Sequence, residues 1–193
     1  MAHKLLERQV LFEGKKVRLE VHRLEDEHGI RFSAEVCTTP GAVVVIPFLD
    51  EQRIVLIRTY RHAIRQYLME LPAGTLMKDE APMNAAGREL LEETGYLARR
   101  LQAIMTFFAS PGVLSERMHV FAAYSLEPRQ AAPEAGESIE VCPTALDEAI
   151  QMIRDGQIQD AKTIAALLSY DRWWRERPGK PMLEVPGTAE SEA

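Results

Sequence analysis

The chain has 193 residues, 46% of them hydrophobic and 27% charged, with a formal net charge of −6. That length buries one core and falls short of two full domains, and the acidic balance leaves no broad basic footprint, which excludes a dedicated nucleic-acid binder. Two cysteines, Cys37 and Cys142, make no disulfide framework, no apolar leader core follows the first residues, and the longest apolar stretch (42–49) is short of a membrane span, so a cytoplasmic protein without membrane contact is expected.

From Leu5 to Cys37 apolar and polar positions alternate, as in Val17-Arg18-Leu19-Glu20-Val21, with turn chemistry from Asp26 to Gly29. Two or three antiparallel strands are expected there. So small a sheet needs cover from the rest of the chain or from another copy. Pro40-Gly41 closes this N-terminal β region, residues 1–40, and a main domain over 41–177 follows. Ala42 to Phe48 and Arg53 to Tyr60 read as strands joined by Asp50-Glu51-Gln52. Pro82 is a good first helical residue and Gly95 a natural helix stop, which brackets a helix between them. Beyond it, strands are expected over Leu101 to Phe108 and Arg117 to Tyr124, separated by a Pro111-Gly112 loop. The Pro-, Ala- and acid-rich stretch from Glu127 to Gly136 reads as a mobile loop. Helical spacing returns over Ala145 to Arg154, with Asp147 and Glu148 in the opening turn, and over Asp160 to Trp174, where Trp173 and Trp174 would cover a core or a subunit contact. Residues 178–193 have the composition of a flexible tail.

The informative element is the helix before Gly95. Helical neighbours lie three and four positions apart, so Glu89 meets Glu92 and Glu93, and like charges at those separations repel. The last turn is also the negative end of the helix dipole, which prefers Lys or Arg to Glu92 and Glu93. Local physics is overruled here, as it often is at functional positions. The plain alternative is a solvated acidic face steadied by Arg88, four residues before Glu92. If the face binds a metal, its carboxylate oxygens suit Mg²⁺, Mn²⁺ or Ca²⁺, and no His or Cys in the run favours zinc. Asp79 and Glu80 have a structural reading, since acids suit the start of a helix.

The run also fits a spaced pattern: Gly, five residues, Glu, seven residues, then Arg-Glu-apolar-x-Glu-Glu-x-Gly-apolar. Gly74, Glu80, Arg88, Glu89, Leu90, Glu92, Glu93 and Gly95 each fall in place, with Tyr96 a less typical last apolar residue. This resembles the Nudix box. The resemblance implies an α/β fold, an α/β/α sandwich with a mixed sheet, preceded here by the small N-terminal antiparallel sheet. It implies that the box forms a loop, a helix and a second loop, which bind Mg²⁺ or Mn²⁺ at a nucleoside diphosphate bridge. Glu89, Glu93 and the Ala73 carbonyl would hold metal, Glu92 would ligate or support them, and Arg88 would neutralise the helix.

Outside the box, Tyr60-Arg61-His62-Ala63, Glu70-Leu71-Pro72-Ala73-Gly74 and Phe107-Phe108-Ala109-Ser110-Pro111-Gly112 followed by Ser115-Glu116-Arg117 are similar to the ADP-ribose pyrophosphatase branch. That likeness implies Mg²⁺-dependent hydrolysis of ADP-ribose to AMP and ribose 5-phosphate by a homodimer paired through its N-terminal sheets. Arg61, Glu70, Pro111 and Gly112 would bind substrate, and Glu89, Glu92 and Glu93 would be catalytic together with Glu137 as general base. Glu134 and Glu140 stand as alternatives for the base, and Glu116 could support the metals. Two other readings remain: a hydrolase of ADP-glucose, GDP-mannose or a dinucleotide, and a non-catalytic ADP-ribose sensor. Sensors of that kind commonly lose box carboxylates, and this chain keeps them.

Overall fold

The alternation near the amino terminus becomes a three-stranded antiparallel sheet in the computed structural model, which describes residues 3–133, 136 and 138–174. Its strands are β1 (Lys4–Glu13), β2 (Arg18–Glu25) and β3 (Arg31–Thr38), in that spatial order. The turn between β2 and β3 is made by Asp26, whose Oδ1 accepts from the N–H groups of His28 (2.9 Å) and Ile30 (2.8 Å). Every residue of β1 is exposed, Leu11 and Phe12 among them.

The main domain is organised by β4 (Ala42–Pro47), whose six residues are all buried. Continuous apolar sequence fits a strand covered on both faces, because successive side chains point to opposite sides. Val43 and Val45 meet Ala85, Ala86 and Leu90 of α1 (Pro82–Thr94), while Val44 and Ile46 face the core that includes Leu146, Ala149, Ala166 and Leu167. Those four lie on α2 (Leu146–Arg154) and α3 (Ala161–Ser169), so helices cover both sides of the strand.

Around β4 the sheet is mixed. It pairs antiparallel with β7 (Ala73–Thr75) and parallel with β9 (Arg117–Pro128), which pairs antiparallel with β8 (Tyr96–Phe108). A second sheet sets β5 (Arg53–Arg61) between β6 (Gln66–Glu70) and β10 (Ile139–Ala145). The architecture is the expected α/β/α sandwich with its antiparallel N-terminal sheet.

Several boundaries differ from expectation. β8 begins five residues earlier than Leu101 because Tyr96, Leu97 and Ala98 pair with Pro128, Glu127 and Leu126. That same pairing extends β9 to Pro128, so the stretch expected as a loop from Glu127 starts later. β6, β7 and β10 were not anticipated: β7 is three residues long, and Pro143 in β10 argues against a central strand. Proline is tolerated because β10 lies at a sheet edge, bonded only to β5. The last helix is shorter than Asp160 to Trp174: Asp160 caps it, and a π-helical segment, Tyr170–Trp174, continues from it. The side chains of Trp173 and Trp174, and the expected tail over 178–193, lie outside the described residues.

Candidate active site

The helix carrying the acids is bounded as its sequence requires. Pro82 stands in its opening turn, and Gly95 ends it in the left-handed conformation (φ 72°) with its N–H donating to the Leu91 carbonyl. A β carbon on Gly95 would also lie 2.9 Å from the Arg129 carbonyl oxygen, so glycine is required twice over. Past the helix, the Arg129 N–H donates to the Gly95 carbonyl (2.6 Å) and the Ala132 N–H to that of Glu92 (3.0 Å). The end of the helix is thereby stitched to the segment leaving β9.

Arg88 is the counter-ion of the acidic face. Its Nε and Nη2 donate to the two oxygens of Glu80 (both 2.9 Å), and its Nη1 donates to Glu89 (2.7 Å) and Glu92 (3.1 Å). Glu80 also accepts the Met77 N–H (2.9 Å), which closes the loop ahead of the helix. The Arg88 hydrogen bonds hold the Glu80 carboxyl below its ordinary range, and Glu80 in turn raises the Arg88 pKa. The i,i+4 pairing of Arg88 with Glu92 is as expected, and Glu80 takes a structural position beside it.

Glu93 is nearly buried, and its Oε2 accepts the Ala73 N–H at 2.9 Å. Glu89 lies against the next residue: a β carbon on Gly74 would come within 1.9 Å of its Cδ. The carboxylate fills a cradle that any other residue at position 74 would occupy. Ala73, Gly74, Glu89 and Glu93 form one wall of a groove of about 1000 Å³, whose other lining includes Lys15, Lys16, Arg61, His62 and Lys78. Glu92 is not among the lining residues, its carboxylate being turned to Arg88.

The donor set fits a hard divalent cation: two carboxylates drawn to the Ala73–Gly74 backbone of β7. Among the described residues no three acidic, His or Cys side chains converge as a ready-made cage. Water and ligand oxygens would complete the coordination, which is the habit of Mg²⁺ beside phosphates.

Arg61, which also lines the groove, forms a bidentate pair with Glu70, Nε to Oε1 at 2.7 Å and Nη2 to Oε2 at 2.6 Å. Glu70 is fully buried, and the Lys162 ammonium also donates to its Oε2. Burial pushes the Glu70 carboxyl up, but Arg61 and Lys162 outweigh it and hold the group below its ordinary value. Lys162 also donates to Asp160 (2.8 Å), whose Oδ2 caps α3 by accepting the Thr163 N–H (2.9 Å) and hydroxyl (2.6 Å). The Thr163 hydroxyl oxygen accepts the Leu71 N–H (2.9 Å), which ties α3 to the residue after Glu70.

Other expected residues are placed differently. Pro111 and Gly112 sit in an exposed turn and do not line the groove; that turn is joined to β3, where the Cys37 N–H donates to the Val113 carbonyl (2.7 Å). Glu140 is on β10 rather than in a loop, exposed and paired with Arg58 (3.5 Å). Glu116 engages through its backbone carbonyl, which accepts the Ala109 N–H (3.1 Å). Glu137 and Glu134 lie outside the described residues. Three lysines escaped the sequence reading. Lys15 and Lys16 are lost in an exposed turn, whereas Asp160-Ala161-Lys162-Thr163 carries a legible helix cap. The partner of Lys162 is distant in the chain and gives no local signal.

An α/β/α sandwich whose groove sets two helix carboxylates against Ala73 and Gly74 of β7 offers oxygen donors suited to a cation beside an anionic ligand. The NUDIX domain family model matches residues 38–167, and the chain belongs to the Nudix family. The chain is 35% identical over 169 residues to an ADP-ribose pyrophosphatase of Bacillus subtilis (strain 168), covering 86% of this chain and 91% of that one. It is 35% identical to a methanol dehydrogenase activator of Bacillus methanolicus (85% and 90% covered) and 34% identical to a GDP-mannose pyrophosphatase of Citrobacter koseri (67% and 72% covered). A solved structure described as an ADP compounds hydrolase superposes with a TM-score of 0.82 at 23% identity, covering 92% of this chain and 97% of that one, and so shares the fold.

Proposed function

We propose that this protein hydrolyses the pyrophosphate linkage of ADP-ribose, giving AMP and ribose 5-phosphate, with Mg²⁺ or Mn²⁺ as its metal. The observation that carries the reading is the wall on which Glu89 and Glu93 meet Ala73 and Gly74 of β7, in a groove that Arg61 also lines and that is large enough for a nucleoside diphosphate sugar. The 35% identity to an ADP-ribose pyrophosphatase over most of both chains supports the substrate.

In this mechanism Glu89, Glu93 and the Ala73 carbonyl would hold the metal, and Glu92 would support them through Arg88. With a divalent ion held there, the site would gain a water of lowered pKa and a positive charge to offset the phosphates. Arg61 supplies a fixed cation for the diphosphate, with Glu70 acting behind it rather than on the substrate. Glu137 remains the general base of the proposal, a role that requires its carboxylate within hydrogen-bond reach of the attacking water. Glu140, already engaged with Arg58, is the weaker alternative. Pro111 and Gly112 would reach substrate only through the loop that β3 anchors.

The N-terminal sheet, residues 1–40, is the proposed dimerisation unit. Leu11 and Phe12 stay exposed at 54% and 57%, and a second copy of the sheet would cover them. A cytoplasmic location is part of the proposal; among the described residues no helix is long and apolar enough to cross a membrane.

Incubation with ADP-ribose and Mg²⁺, with products resolved by chromatography, tests the reading; intact substrate at high enzyme concentration would remove it. A second substrate, GDP-mannose, is favoured by the 34% identity to a pyrophosphatase of that name. Ranking both by kcat/KM separates them.

A further inference from the structure

The Arg61–Glu70 pair poses a problem for a cation that must meet an anionic ligand. A bidentate carboxylate neutralises the guanidinium it holds, and a fully buried carboxylate has no water to share that charge. In this fold a second cation meets the same oxygen: Glu70 Oε2 accepts from both Arg61 Nη2 and the Lys162 ammonium. Lys162 is itself fixed, with a side chain only 16% exposed and its ammonium also held by Asp160 at 2.8 Å. Asp160 caps α3 through Thr163, and the Thr163 hydroxyl oxygen takes the N–H of Leu71. The first turn of α3 is thus bolted to the strand end that carries Glu70.

We propose that Lys162 is a positioning residue for substrate binding, which acts through Glu70 to fix the Arg61 guanidinium at the groove and to offset the charge of the buried carboxylate. The inference rests on the hydrolase reading above and extends it to a helix that supplies no residue to the groove lining. Arg61 uses Nε and Nη2 on Glu70, and Nη1 takes no part in that pair. Without Lys162, Glu70 has Arg61 as its sole cation among these partners, so the carboxylate draws the guanidinium inward, and the cluster of Arg61, Glu70 and Asp160 is left with an excess negative charge. Ground-state affinity falls, whereas Glu89 and Glu93 keep their own hydrogen bonds to Arg88 and Ala73.

The test is a double-mutant cycle on the full chain. Lys162→Met should raise KM for ADP-ribose about tenfold with kcat within about threefold of wild type, because uniform binding rather than chemistry is lost. Lys162→Arg, which keeps the charge, should recover most of the loss. In an Arg61→Ala background the Lys162→Met change should shift KM by less than about twofold, since its target is gone. Unchanged KM in Lys162→Met, or an equal fold-change in both backgrounds, overturns the proposal. Should Lys162→Met melt below the assay temperature, Lys162→Gln, which keeps a donor without the charge, is judged by the same criteria. Calorimetric titration with ADP-ribose separates the two ideas: wild type that binds without turnover sinks the hydrolase reading alone, and the affinities of the same variants then decide the role of Lys162.

Discussion

Gly74 and Glu89 compete for one volume: a β carbon on Gly74 would stand 1.9 Å from Glu89 Cδ and 2.1 and 2.2 Å from its two oxygens. Nothing else about the position demands glycine, because Gly74 is not in the left-handed region. Gly74→Ala should therefore displace one carboxylate and leave the backbone in place. The expected outcome is a loss of about a hundredfold in kcat, the scale for moving a reacting group by roughly 1 Å, with an unchanged circular dichroism spectrum. Activity near wild type would show that Glu89 does not need this seat.

Glu93 separates metal chemistry from helix stability. Glu93→Gln can still accept the Ala73 N–H, but it gives up the charge that opposes the helix dipole. Turnover with Mg²⁺ should fall more than about a hundredfold, while the melting temperature in EDTA stays level or rises. Added Mg²⁺ should raise the melting temperature of wild type and not of the variant, because only a state that binds metal is stabilised by it. If the acidic face were merely solvated, both proteins would respond alike.

Acid should strike the buried cluster around Glu70. Its carboxyl lies below the ordinary 4.5 in the folded protein, so the unfolded chain takes up the proton more readily. The contribution of Glu70 is complete above that pH and drains away as pH falls from 4.5 toward the folded value. Urea unfolding at a series of pH values should show wild-type stability falling through this range, and Glu70→Gln should flatten the descent. At neutral pH the variant should be less stable by about 3 kcal/mol, because Arg61 and Lys162 lose their common anion.

The exposed face of the N-terminal sheet predicts an assembly. Leu11→Asp with Phe12→Asp should convert a dimer to a monomer in sedimentation velocity, since a charge facing its own copy is repelled and desolvated. A wild type that sediments as a monomer at all concentrations would remove the dimer.

The box helix was legible in the sequence because its boundaries and its acids follow strictly local rules: Pro82 to start, Gly95 to stop, three glutamates at helical spacing. The buried strand β4 was legible for the same reason, an apolar run between turn residues. What stayed hidden depends on partners far along the chain. The resemblance makes Glu70 a substrate-binding residue, yet it is a buried anion between Arg61 and Lys162, and no periodicity announces a contact with α3. β10 was obscured by Pro143, whose strand conformation is allowed only by its place at a sheet edge. Glu92 and Glu93 share a helical turn, but the fold sends one to Arg88 and the other to Ala73, a division that spacing alone does not contain.

The parallel pairing of β4 with β9 has a consequence for how the groove comes into being. β7, which carries Ala73 and Gly74, is held in its sheet by β4 alone, and β4 meets β9 only after a long intervening stretch of chain has closed. Loop closure of that length is slow and must precede the contacts that reward it. A fragment that ends before β9 would therefore leave one edge of β4 unpaired, and with it the strand on which β7 is held.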